Sequence, residues 1–233
     1  MDHTFVPALP DPKTFGSAVP PLLDLTAFGP TDDDDRAAVA STAARTGSIA
    51  LWRSWRVSPG SPPSRVFVVE THGDPPAFEA ECYAPGEALS ADTRAARNAG
   101  ALLWTARPVQ PIRVARVFDG GGTFHPDHPR LAGAVQQRVS AYLEAGSAVL
   151  GTDGRLPDLV EPGRGEVVPM SYRTDGRWLW TDSVAYYLRT YGLAPEPDLV
   201  AHVLAAGERP VVDAVDEHRA LAVLFQTHAL VAQ

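Results

Sequence analysis

The stretch from Val167 to Leu193 constrains this chain more than any other. Val167 to Tyr172 and Trp178 to Thr181 are extended, aromatic-bearing segments either side of Asp175-Gly176, a dipeptide that tolerates positive φ, so the spacing predicts a hairpin with a two-residue or slightly longer turn. Trp178 and Trp180 lie two apart and share one sheet face. Val184, Tyr187 and Leu188 follow at helical spacing and are expected to fold back onto that face. Asp182 is the expected helix cap, Gly192 the left-handed stop, and Pro195 prevents continuation.

Within this stretch, Tyr172-Arg173-Thr174-Asp175-Gly176-Arg177-Trp178-Leu179-Trp180, followed by Val184 to Arg189 and Gly192, resembles the C-terminal segment of a functionally uncharacterised protein family common in high-GC actinobacteria. The residues that carry the resemblance all lie within 172–192. It implies a bacterial source and a recurrent module, and it carries over no catalytic residue.

The remaining segments point to an α+β fold: antiparallel sheets with flanking helices and a helical C-terminal end. Residues 1–30 form a Pro-rich arm, expected to lie partly against the body through Phe5, Phe15, Leu22 and Phe28. An α+β lobe over 31–150 opens with Thr31-Asp32-Asp33-Asp34-Asp35, where the carboxylates suit a helix N-terminus and, as the rival reading, a cation. Ser48–Val57, Arg65–Thr71 and Ala77–Tyr83 read as an antiparallel meander. A helix from Ser90 to Asn98 and strands at Ala101–Ala106 and Ile112–Phe118 come next. Pro129 should open a helix carrying Leu131, Val135, Val139 and Tyr142. The loop Gly151–Gly165 is the expected boundary before the hairpin and C-terminal helices of 166–233, which form either a second lobe or one domain with the first. Helices are expected from Glu196 to Ala206 and from Pro210 to Val231.

Composition removes several kinds of chemistry. One cysteine, Cys82, forbids an intrachain disulfide and a multi-cysteine zinc site. It lies among carboxylates that disfavour a thiolate. Of 20 basic residues only Lys13 is a lysine, and no Gly-rich loop precedes it, so Schiff-base and phosphate-loop chemistry have no candidate. The net charge of −8 argues against nucleic acid. No apolar run is long enough for a membrane helix, and the first residues lack signal-peptide regions, so a soluble cytoplasmic protein without membrane contact is expected.

Two places remain where function could sit. The connection Asp119 to His128 holds two histidines, two aspartates and three glycines before an expected helix N-terminus, which makes Asp119, His125 and His128 the candidate catalytic set. The rival reading is a Gly-rich loop in which His128 or Asp127 caps the helix, and the proline after each histidine favours extended backbone in which the two need not converge. Its glycines match no dinucleotide fingerprint and no spacing selects a third metal ligand, so neither cofactor nor metal is expected. The second place is a set of Trp and Arg residues: Trp178, Trp180, Arg173 and Arg177, with Trp52, Trp55, Arg53 and Arg56. These residue types dominate interface hot spots, and they also suit a core. The leading expectation is a non-catalytic adaptor or immunity-type protein with a protein partner. The alternative is a small-molecule hydrolase or transferase using the Asp119–His128 loop.

Overall fold

The computed structural model describes residues 3–9, 19–30, 32–120, 122–208 and 211–231, with 226–231 described by backbone alone. Lys13, Phe15, Thr31, Gly121, Pro210 and the side chain of His228 fall outside the described residues. The expected α+β class is found. The chain divides into two compact units, one of Met1–Gln110 with Leu221–Gln233 and one of Pro111–Ala220.

The first unit holds β1 (Thr4–Val6), β2 (Leu23–Asp24), α1 (Asp33–Ala43), β3 (Ser48–Val57), β4 (Ser64–Thr71), β5 (Glu81–Tyr83), α2 (Ala91–Asn98) and β6 (Ala101–Thr105). Strand alternation sends Leu51 to one face of β3 and Trp52 to the other. Leu51, Val69, Ala101 and Leu103 bury one face against Ala38 of α1. β3 pairs antiparallel with β4 and β6, but β5 runs parallel to β4, which corrects the expected meander. The connection back from β4 carries Phe78, whose ring meets Phe67 edge-on at 5.2 Å, so burial of its own apolar residues draws it along the sheet before β5 forms. The Pro-rich arm is also more regular than expected. β1 pairs with β3 and β2 with β6, because two or three residues between prolines suffice for a short ladder.

The acidic start of α1 is held by arginine. Asp32 caps the helix by accepting from the Asp35 amide at 2.9 Å, and Arg65 binds its carboxylate in a fork, with both contacts at 2.8 Å. The buried Asp35 accepts from Arg53 and Arg65. Hydrogen bonding to Arg65 holds the Asp32 carboxyl down at about 2.

The second unit contains β7 (Arg113–Val114), α3 (Gly133–Glu144), β8 (Ser147–Leu150), β9 (Arg155–Pro157), β10 (Glu166–Pro169), β11 (Tyr172–Thr174), β12 (Trp178–Thr181), α4 (Asp182–Tyr191) and α5 (Pro197–Ala206). A final helix, α6 (Ala214–Val231), supplies its first part to this unit and its later part to the other. The four-stranded sheet runs β7-β12-β11-β8, and β9 pairs with β10 separately. β8 precedes the Gly151–Gly165 segment and β11 follows it, yet the two are neighbours in one sheet. That segment is therefore internal to a unit, and the division falls at Gln110–Pro111. The expected strand Ile112–Phe118 shrinks to Arg113–Val114, parallel to β12.

The hairpin forms as expected, with Thr174 opposite Leu179 and Gly176 at φ +86°. Trp178 and Trp180 are buried with Val139, Leu143, Val184, Leu188, Leu199 and Val203 in one core. The Trp180 ring lies on Gly146, where a Cβ would come within 2.3 Å of it, and its indole N–H donates to the Leu143 carbonyl at 3.2 Å. Tyr187 packs in a neighbouring cluster with Val168, Tyr186 and Leu193. Thr181, not Asp182, occupies the N-cap position of α4, because Asp182 in the first turn is turned to Arg173 at 2.6 Å. Gly192 ends α4 in the left-handed conformation at φ +71°.

Candidate functional site

Asp119 and His128 do come together. A small turn closes the start of their loop: the Asp119 amide donates to the Thr123 carbonyl, and the Thr123 amide to Gly120. Phe124 then anchors it, edge-on to Phe118 at 5.2 Å and to Tyr187 at 4.8 Å. This brings His128 Nδ1 to 2.8 Å from Asp119 Oδ2, while the His125 amide donates to the same oxygen at 2.7 Å. The His125 amide and, secondarily, His128 hold the Asp119 carboxyl below the usual range.

The other ring nitrogen of His128 is equally engaged. Nε2 lies 2.9 Å from the Ala194 carbonyl, so the imidazole faces an acceptor on each side and donates to both only with a proton on each nitrogen. His128 thus clasps the loop to the segment that follows α4. The same segment explains why α3 starts late. The Leu131 amide donates to the Gly192 carbonyl at 2.8 Å and the Ala194 amide to the Pro129 carbonyl at 2.9 Å, which keeps 129–131 extended and delays the helix to Gly133. The expected helix N-terminus beside His128 is consequently absent. The side chain of His125 is exposed and does not line the cleft.

A cleft of about 170 Å³ adjoins this clasp, lined by Arg116, Val117, Phe118, Asp119, His128, Pro129, Ala194, Pro195, Glu196 and Pro197. Glu196 is largely buried and accepts from the Arg116 backbone amide at 2.9 Å. The combination sets two carboxylates, an imidazole and the Arg116 guanidinium beside an apolar wall, with no hydroxyl, thiol or amine side chain among the lining residues.

The proposed Trp/Arg surface is corrected at its tryptophans: Trp178 and Trp180, like Trp52, are core residues because both faces of their strands are covered. Arg173 is half-buried between Asp182 and the Gly146 carbonyl. Arg177 is exposed. Arg53 is buried against Asp35.

Two buried carboxylates were not singled out from the sequence. Asp175 closes the hairpin turn with Oδ1, accepting from the Arg177 and Trp178 amides, and with Oδ2 accepts from Tyr142 at 2.8 Å and contacts His202 Nε2 at 2.6 Å. Asp158 accepts from the Val160 and Glu161 amides and from the hydroxyls of Tyr186 and Tyr191. Burial works against its charge, but the two tyrosines and two amides still hold its carboxyl below the usual range, while Tyr186 is pushed well up by burial and by that hydrogen bond. Asp-Gly signals a turn and gives no sign of partners 33 or 27 positions away, so only the structure pairs Asp175 with Tyr142 and His202. Among the described residues no group of three His, Cys, Asp or Glu side chains is placed to hold a metal ion, and no helix is long and apolar enough to cross a membrane. No protein-family model, curated protein or solved structure matches this chain.

Proposed function

We propose that the protein acts by binding another macromolecule, as a non-catalytic adaptor or immunity-type protein in the cytoplasm, with a protein rather than a nucleic acid as partner. The kinship of residues 172–192 with the actinobacterial segment belongs to the same proposal. The observation that carries it is the state of His128. General acid-base catalysis needs a ring nitrogen free to meet substrate, and both nitrogens of this ring are spent on holding backbone segments together. Size supports the same reading, since about 170 Å³ falls below the roughly 300–1,000 Å³ of ordinary small-molecule sites and suits one inserted side chain. The net charge of −8 favours a partner with a basic face.

Affinity capture from the source cells, followed by reconstitution from purified components, tests this. A partner that re-forms a complex of fixed stoichiometry, and still does so with the exposed His125 changed to Asn, is the expected result. Hydrolase or transferase turnover that disappears in His128→Asn while the fold persists would overturn it.

A further inference from the structure

We infer that the cleft beside the Asp119–His128 clasp receives a basic side chain, lysine or arginine, from the partner; this rests on the macromolecule-binding reading above. Three features of the cleft converge on that chemistry. Its wall is apolar and rigid: Val117, Phe118, Pro129, Pro195 and Pro197 offer surface for a methylene stem, and proline rings and an aromatic lose little freedom on contact. Two carboxylates, Asp119 and Glu196, lie at that wall. Of these, Glu196 is the unfinished one. Its side chain is only 14% exposed, Oε1 takes the Arg116 amide, and among the described residues no hydrogen bond reaches Oε2.

The nearest cation to Oε2 is the Arg116 guanidinium at 3.7 Å, too long for a hydrogen bond, on a side chain that is 73% exposed. A largely buried carboxylate oxygen with so weak a partner gains more from a donor delivered into the cleft than from a solvated arginine at its rim. An anionic occupant is disfavoured because it would meet both carboxylates at close range. The volume, about 170 Å³, admits one long side chain and excludes a nucleotide. Long-range attraction acts in the same direction, since the chain carries a net charge of −8.

Capped tripeptides Gly-Arg-Gly and Gly-Lys-Gly, the uncharged Gly-citrulline-Gly and the anionic Gly-Glu-Gly serve as probes, with binding read from amide shifts of Val117, Phe118 and Leu199 in the full chain. The expected result is saturable binding of a cationic probe, weakened by salt, with citrulline weaker by about tenfold, the effect of losing a charge-assisted hydrogen bond. Glu196→Gln, which keeps the acceptor for the Arg116 amide, should weaken the cationic probe by a similar factor. Arg116→Ala should tighten it by removing the competing cation. Equal binding of citrulline, preference for the glutamate peptide, or weaker cation binding in Arg116→Ala would each overturn the inference. A reconstituted partner complex indifferent to Glu196→Gln and to excess arginine peptide would sink the cleft assignment alone and leave the macromolecule-binding reading standing.

Discussion

Asp175 offers the sharpest test of how the second unit is held together. Its carboxylate is fully buried and takes four donors: the amides of Arg177 and Trp178, the Tyr142 hydroxyl and the His202 ring. Alanine at this position removes every acceptor at once. The Tyr142 hydroxyl and the Trp178 amide belong to buried residues, where an orphaned donor costs about 1–3 kcal/mol, so the pair predicts a loss of about 2–6 kcal/mol. Arg177 and His202 are partly exposed and recover water, and contribute little more. Such a loss is a large fraction of the roughly 5–15 kcal/mol by which a domain is stable. Asparagine should cost far less, about 1–2 kcal/mol. Its carbonyl oxygen still serves both turn amides, and its NH₂ faces a hydroxyl and a ring nitrogen that are both able to accept. Urea unfolding, with native-state amide exchange at Trp178 and Leu179 to isolate this unit, measures both variants. If alanine proves no worse than asparagine, or either falls within about 0.5 kcal/mol of the parent, the carboxylate is not the unit's anchor.

Two further expectations can be measured alongside. Gly176→Val should destabilise by about 1 kcal/mol or more, because φ is +86° and a Cβ would come within 3.0 Å of the Asp216 carboxyl; an unchanged melting temperature contradicts this. Asp32 has a folded-state pKa of about 2 against an ordinary 3.8, so its contribution is complete above the ordinary value and is lost as pH falls toward 2. Asp32→Asn should flatten the acid limb of a stability-versus-pH curve in that window, and an unaltered limb would show that the Arg65 fork contributes nothing.

The fold was legible where local chemistry and tertiary structure agree. The hairpin, the left-handed Gly192, the Ser90 cap and the long β3 all follow from turn residues, caps and alternation that act within a few positions. Two of the failures share one cause, which is a distant backbone partner overriding a local preference. Pro129 suits a first helical turn, yet the carbonyl and amide groups of Gly192–Ala194 hold 129–131 extended. Gly151–Gly165 has the composition of a linker, but β8 and β11 pair across it and Asp158 is buried beneath two tyrosines. The site was half legible. Asp119 and His128 were both named from the sequence, whereas no sequence spacing shows that they pair, that Ala194 occupies the second nitrogen or that Glu196 faces the same cleft. Trp178 and Trp180 carried the ambiguity of all amphipathic aromatics, and packing resolved it toward the core.

The assignment of Leu221–Gln233 to the same unit as Met1–Gln110 bears on how the chain is made. A ribosome releases the contiguous Pro111–Ala220 unit in full before it releases the last residues of the other, although that other unit begins first. Domains fold as units while synthesis proceeds at about 5–20 residues per second, so the earlier-born unit is not complete until a segment more than a hundred positions downstream of β6 emerges. Nascent chains stalled short of Leu221 are therefore the species in which the first unit is incomplete and open to chaperones.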